Sequence, residues 1–228
     1  MKIPITKYGL PQVVIYPGLC VLAMAAASVL AAVNISVFWV IEVVLAIVLI
    51  WLLSFFRDPN RKIPAGDNLI LSPADGTISD IEVVDEPNFI GGKAIRIGIF
   101  LSIFSVHINR TPCAVKIEKI TYRKGSFINA MNPESGKVNE SNDIAMTRLA
   151  KPNEKILVRQ ISGAIARRIV CDAEGGQEFA GGTIFGMIKF GSRTELYLPA
   201  ESPAKIIVKK GDKVKAGLSI LAQYGRTD

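Results

Sequence analysis

Hydrophobic and polar positions divide the chain into two unlike parts. Residues 10–33 carry no charged side chain, and residues 35–56 carry only Glu42. Each run is long enough to cross a hydrocarbon core of about 30 Å as a helix. Only Asn34 and its neighbours separate them, so they predict a hairpin of two membrane helices with both ends on one side. From Asn68 onward the pattern changes to short runs of Val, Ile and aromatic residues broken by Gly, Pro, Asn and Asp, the punctuation of strands and turns. Strands are expected at 69–71, 76–84, 93–100, 114–123, 156–161, 165–171, 183–190, 194–198, 205–208 and 218–223, with a trace of helical period at 141–149. The expected organisation is a membrane hairpin over residues 1–56 and one mainly β domain over residues 57–228.

Two stretches refine that fold class. SPADGTISDIE (72–82) and VKKGDKVKAGLSILAQ (208–223) resemble the hammerhead turns of lipoyl- and biotinyl-carrier domains, which implies a barrel-sandwich-like domain. Their glycines suit tight turns. A carrier would also present a modifiable Lys at a hairpin tip, flanked by Met or Asp, and no such sequence occurs.

Charge adds an orientation. Lys2 and Lys7 precede the first apolar run and Arg57, Arg61 and Lys62 follow the second, and short basic flanks favour the cytoplasmic face of the cell membrane. A secretory signal peptide fits less well, because its apolar region is usually about 7–15 residues and here a second apolar run follows. The whole chain carries +7, and +6 remains once Lys2, Lys7 and Glu42 are set aside. A basic domain beside two membrane helices suits an anionic lipid bilayer. Nucleic acid is excluded as a partner, since no basic patch is interleaved with aromatic residues. Cys20, Cys113 and Cys171 are too scattered for a disulfide framework, and one histidine cannot make an ordinary zinc site, so no metal is expected. Within the hairpin, Glu42 is expected near headgroups, protonated, or paired with another chain. Ala23, Ala25, Ala26 and Ala27 offer small-residue packing for a homodimer.

The segment GGTIFGMIKFGSRTELYLP (181–199) reads, on its residues alone, as two strands joined at a tight Phe-Gly-Ser-Arg turn. Likewise Asp75 alone is a turn residue, and His107 alone a structural histidine. Phe100, Leu101, Ile103 and Phe104 form an apolar run that reads as core, with contact to acyl chains as the other reading. In order, however, SPADGTI (72–78), FLSIFSVHINRTP (100–112), GSFINAMNPESGKVNE (125–140) and the Gly191-Ser192 segment resemble the short, single-domain class of phosphatidylserine decarboxylase proenzymes.

That resemblance implies a chain that cuts itself between Gly191 and Ser192, giving a β chain, 1–191, and an α chain, 192–228, that stay associated. Ser192 would become a pyruvoyl group, form a Schiff base with the serine amine of phosphatidylserine and take up the electrons released as carbon dioxide leaves, yielding phosphatidylethanolamine. His107 matches the base of an Asp-His-Ser triad, and Asp75 the carboxylate that orients it. Two departures from the family pattern concern the headgroup. Phe104 stands where the longer class has a histidine, and VNESN (138–142) has Ser141 where an arginine is usual. Phe104, Asn139 and Arg193 are the expected substrate contacts. Alternative readings are a decarboxylase of another seryl-lipid such as archaetidylserine, or a non-enzymatic membrane-tethered carrier or adaptor domain.

Overall fold

The computed structural model describes residues 5–32, 35–132, 134–164, 168–189 and 191–225, and the chain divides into two compact units, Met1–Asn60 and Arg61–Asp228.

In the first unit, α1 spans Gln12–Ala31 and α2 spans Ile35–Phe55. The turn expected at Asn34 lies outside the described residues. Mean hydropathy is 2.2 over α1 and 2.7 over Val37–Phe55, and only 17% and 6% of those windows are buried. A core helix of a soluble protein would cover its apolar surface, whereas Trp39, Val40, Val43 and Ile47 lie open. Helices of this length satisfy their own backbone in lipid, and membrane association follows. Ser28 on α1 donates to Glu42 Oε1 on α2 at 2.7 Å, so the lone acid finds a polar partner inside its own hairpin. Of the small residues, Ala27 is buried, while Ala23, Ala25 and Ala26 remain exposed. Arg57 closes the end of α2 by donating to the Ser54 carbonyl and hydroxyl at 2.7 and 2.9 Å, where a helix leaves carbonyls unpaired and favours a cation.

The second unit is built of antiparallel strands: β1 Leu69–Leu71, β2 Gly76–Glu86, β3 Gly92–Leu101, β4 Ile108–Arg110, β5 Val115–Arg123, β6 Ser141–Arg148, β7 Lys155–Ile161, β8 Arg168–Cys171, β9 Glu178–Phe179, β10 Ile184–Lys189, β11 Ser192–Pro199, β12 Lys205–Ile206, β13 Lys213–Val214 and β14 Ile220–Gln223. Among the described residues they form an eight-stranded sheet in the order β13-β2-β3-β11-β7-β6-β5-β9 and two three-stranded sheets, β4-β10-β8 and β1-β14-β12. Period-two alternation decides what each face carries. Ile97, Ile99 and Leu101 of β3, Leu196 and Leu198 of β11, and Ile156 and Val158 of β7 point into one core with Phe185 and Leu221.

The opposite face of the central strands is charged yet buried. Arg193 and Glu195 of β11 are fully covered. Arg193 donates to Glu195 Oε1 at 2.8 Å, to Ser79 Oγ at 2.7 Å, and to both oxygens of Asp80 at 2.8 and 2.7 Å. Further along the same face Arg159 forks onto Asp143, at 2.6 and 2.9 Å, and donates to the Tyr197 hydroxyl. Burial alone would raise the Asp80 pKa, but the Ser79 hydroxyl and the Arg193 and Arg96 charges outweigh it and hold the carboxyl below its ordinary value. Removal from water, reinforced by the Glu195 charge, pushes the Tyr197 phenol well up. Burial likewise pushes the Cys113 thiol up to about 12.

Two expectations are corrected. Residues 141–148 are not helical but form β6, which lies between β5 and β7 and is buried on both faces, so its sequence shows no clean alternation. The Phe-Gly-Ser-Arg segment is not a hairpin turn. β10 pairs with β4 and β8, whereas β11 pairs with β3 and β7, so the chain crosses from one sheet to another at Gly191. Of the strand expected at 165–171, residues 165–167 lie outside the described residues, and the rest is β8.

The ion cluster generates a stability prediction. Arg193→Met removes the cation shared by Asp80 and the buried Glu195, leaving Arg96, 3.2 Å from Asp80, as the remaining partner, and is expected to destabilise the fold by roughly 3–5 kcal/mol, read as a lowered urea midpoint in detergent. Because the folded pKa of Asp80 is depressed, its contribution is present above the ordinary carboxylate pKa and fades as pH falls through the lowered value. Asp80→Asn is therefore expected to lower the midpoint at neutral pH and to flatten its decline in acid.

Candidate active site

Gly191 and Ser192 sit at the start of the most enclosed strand of the large sheet. Ser192 is paired with Leu101 of β3, and Arg193 with both Phe100 of β3 and Ile161 of β7. Alternation along β11 sends Arg193 into the ion cluster and turns Ser192 to the other face, with Thr194 and Leu196. There the Ser192 side chain is fully buried, and among the described residues its Oγ has no hydrogen-bond partner. A buried hydroxyl left unpaired costs free energy, roughly 1–3 kcal/mol. Gly191 has φ of +61°, the left-handed region that a residue with a side chain enters at a cost. Phe190, the residue before it, lies outside the described residues.

His107 meets this turn directly. The Gly191 N–H donates to His107 Nε2 at 3.2 Å, and Nδ1 lies 2.9 Å from the Ser105 carbonyl. A carbonyl only accepts, so Nδ1 carries the proton and Nε2 presents its lone pair to the peptide. The ring is completely buried, and the His107 carbonyl accepts from Ile188 of β10 at 3.1 Å.

Asp75 is placed differently from a carboxylate that grips the ring. Arg61 holds it bidentately, at 2.6 Å to Oδ1 and 2.9 Å to Oδ2, and the Ala216 N–H donates to Oδ1 at 2.8 Å. Asp75 and Ser105 both line a cavity of about 290 Å³, together with Phe104, Lys213 and Lys215. Asp75 thus shares a cavity with Ser105, whose carbonyl accepts from the ring's Nδ1.

Of the three expected headgroup contacts, one faces outward. Phe104 is 70% exposed. Arg193 is fully buried and donates to Asp80, Ser79 and Glu195. Asn139 is also spent inside the fold: its Nδ2 donates to the Ile128 and Ser162 carbonyls, both at 2.8 Å, and its Oδ1 accepts from the Ile128 N–H at 2.9 Å. It ties the loop after β5 to the end of β7.

Three contributors were missed from sequence. Arg61 was counted only as a basic flank of the membrane hairpin, although it holds Asp75. Gly163 lies against the bond of interest, since a Cβ there would stand 2.1 Å from the Gly191 carbonyl oxygen and 3.3 Å from Ala130 Cβ. Ser162 follows Ile161, the β7 partner of Arg193, and its hydroxyl is likewise buried and without a partner among the described residues. No local signal marks any of these, because each acts on a residue distant in sequence.

Comparison with known proteins gives this geometry its context. A family model described as phosphatidylserine decarboxylase matches residues 48–222. The chain is 39% identical over 227 residues to a phosphatidylserine decarboxylase proenzyme of Rhodopirellula baltica, covering 98% of this chain and 89% of that one. It is 40% identical over 201 residues to the proenzyme of that name from Symbiobacterium thermophilum, covering 88% and 90%. A third, from Desulfotalea psychrophila, is 44% identical over 171 residues, covering 75% of this chain and 78% of its own.

Gly163→Ala tests how tightly the Gly191 carbonyl is seated. The added methyl has backbone, not a flexible side chain, in its way. If the chain is cut at this peptide, the variant is expected to keep its circular dichroism spectrum while cutting slows by about a hundredfold, as displacements near 1 Å do at reacting groups, followed by gel densitometry after synthesis.

Proposed function

The chain belongs to the phosphatidylserine decarboxylase family, and on that premise we propose that it makes its catalytic group from its own Ser192. It is a decarboxylase of phosphatidylserine synthesised as a proenzyme. The observation that carries the proposal is a buried Ser192 hydroxyl, without a partner among the described residues, directly after Gly191, whose amide donates to His107 Nε2 at 3.2 Å.

In the proposed cut, Ser192 Oγ attacks the Gly191 carbonyl carbon as its proton passes to His107 Nε2. The peptide C–N bond breaks and an ester bond to Oγ forms. Loss of the Cα proton of residue 192 with cleavage of its Cβ–Oγ bond then frees the Gly191 carboxylate and leaves a dehydroalanine. Water converts that residue to a pyruvoyl group, releasing ammonia. Three features support this assignment. Gly191 has no side chain to obstruct the attack, its carbonyl lies against a second glycine, and the Ser105 carbonyl holds the imidazole in the tautomer that accepts a proton. Asp75, held by Arg61, is read as an electrostatic support beside that segment. A pyruvoyl group, once formed, supplies an electron sink for the pair left on the substrate's α-carbon as carbon dioxide departs, the role pyridoxal phosphate has in other enzymes.

The enclosing strands explain why two chains would remain one protein. β10 stays hydrogen-bonded to β4 and β8, and β11 to β3 and β7, whichever side of the cut they fall on. The domain itself is read as barrel-sandwich-like. Supporting this, the two hammerhead-like segments interlock, with Val214 paired to Gly76 and the Gly217 N–H donating to the Ser72 carbonyl at 2.8 Å. The basic flanks of the hairpin favour placing the domain on the cytoplasmic side of an anionic bilayer.

Intact mass and gel analysis test the proposal. Wild-type protein is expected to yield a fragment starting at residue 192 that lacks a free α-amine, and to release carbon dioxide from phosphatidylserine. Ser192→Ala should remain one uncut, inactive chain, and His107→Ala should cut roughly 10²- to 10⁴-fold more slowly. Wild-type protein that stays full length in its native membrane would sink the assignment.

A further inference from the structure

Two loops meet at the Gly191 peptide from opposite sides. Ile103 Cγ2 would lie 3.7 Å from a Cβ on Gly191, and the buried Ala130 packs where Gly163 meets the Gly191 carbonyl. Each loop continues from that anchor into a large apolar side chain left in solvent: Phe104 at 70% exposure, and Met131 at 64% with Phe127 at 41%. These tips are held in place. The Phe104 N–H donates to Ser102 Oγ at 3.4 Å and the Ser105 N–H to the Ser102 carbonyl at 2.9 Å, while the Met131 N–H donates to Asn129 Oδ1 at 3.0 Å and the Asn132 N–H to the Asn129 carbonyl at 2.9 Å. Turns closed by Ser and Asn present their side chains with little further ordering to lose. Exposed lysines border both tips: Lys213 and Lys215 share the cavity with Phe104, and Lys124 opens the segment that carries Phe127 and Met131.

We propose that these two loops form a lip that seats the β domain on an anionic bilayer, with Phe104, Phe127 and Met131 entering the acyl boundary and Lys124, Lys213 and Lys215 meeting headgroups. The inference rests on the lipid decarboxylase reading, because it is the substrate's own bilayer that the lip would engage. The sign of the charge selects the occupant. A second copy of this chain would bring lysine against lysine, whereas exposed apolar tips with Lys213 and Lys215 beside Phe104 and Lys124 leading into the Phe127 segment, the one exposed acid on the Met131 loop, Glu134, being paired with Lys137, are the composition of a surface that binds anionic lipid. Both loops reach the peptide of the proposed cut, through Ile103 at Gly191 and Ala130 at Gly163, so docking there would bring the site to the layer in which phosphatidylserine lies.

The test compares two forms of one substrate, using the full-length protein: water-soluble short-chain phosphatidylserine with the protein in micelles, and phosphatidylserine in phosphatidylcholine vesicles with the protein reconstituted. The double variant Phe127→Ser/Met131→Asn is expected to cut itself completely and to match wild type on the short-chain lipid, while losing on the order of tenfold on vesicles. Met131→Leu, which keeps the apolar volume, should retain vesicle activity. Unchanged vesicle activity in the double variant would overturn the lip, as would an equal loss on both substrates or loss of a self-associated form in sedimentation. Wild-type protein that is uncut and inactive on both substrates would instead remove the decarboxylase reading beneath it.

Discussion

The buried grip of Asp80 and Glu195 on Arg193 is the constraint from which the site's geometry follows. Arg193 is the residue after Ser192, and its guanidinium is anchored on one face of the sheet by three side chains from two strands. In a strand, anchoring one side chain determines where its neighbour points. Ser192 must therefore face the other way, into the enclosed side where His107 lies. A one-residue slip of β11 would put the serine among carboxylates and bury arginine in an apolar core, at a cost the fold could not sustain. The charged cluster thus does for register what an apolar stripe cannot, since it is satisfied in one alignment only.

On the opposite side the chemistry depends on what is missing. Glycine at 191 and at 163 lets two backbones approach without side chains between them, and the hydroxyls of Ser192 and Ser162 are buried there without a partner among the described residues. Local cost at a site, offset by packing elsewhere, is the usual mark of a place selected for reactivity. Here the surplus comes from the isoleucine-rich layer of β3, β7 and β11 directly beneath it.

What the sequence disclosed follows from how far each signal reaches. The two membrane helices were legible to within a few residues because an uninterrupted apolar run needs no tertiary context. Most strands were legible as well, since their turns are marked by Gly, Pro and Asp. β6 was not, because burial on both faces erases the alternation that would identify it. The crossover at Gly191 was mistaken for a hairpin because two short strands and a Gly-Ser between them look alike whether or not they pair. Ser192, Gly191, Asp75 and His107 stood out through the order of four motifs, while Arg61, Ser162 and Gly163 stayed hidden, their partners lying across the fold. Arg193 was assigned outward on charge alone, and only the neighbouring strands reveal that its charge is already matched.

The passage from β10 in one sheet to β11 in another has a consequence for the protein's history. Under the proposed cut, the link broken is the one that told the folding chain where its central strand belonged. The finished protein would then hold a short second chain that supplies β11 in the middle of the large sheet and β13 at its edge, with every other strand of that sheet belonging to the first chain. Folding of the precursor is a search within one molecule, whereas recovery after unfolding would require two molecules to find each other, with one of them too short to fold by itself. The mature protein would be persistent without being self-renewing: its sequence would still describe its shape, yet no longer suffice to rebuild it.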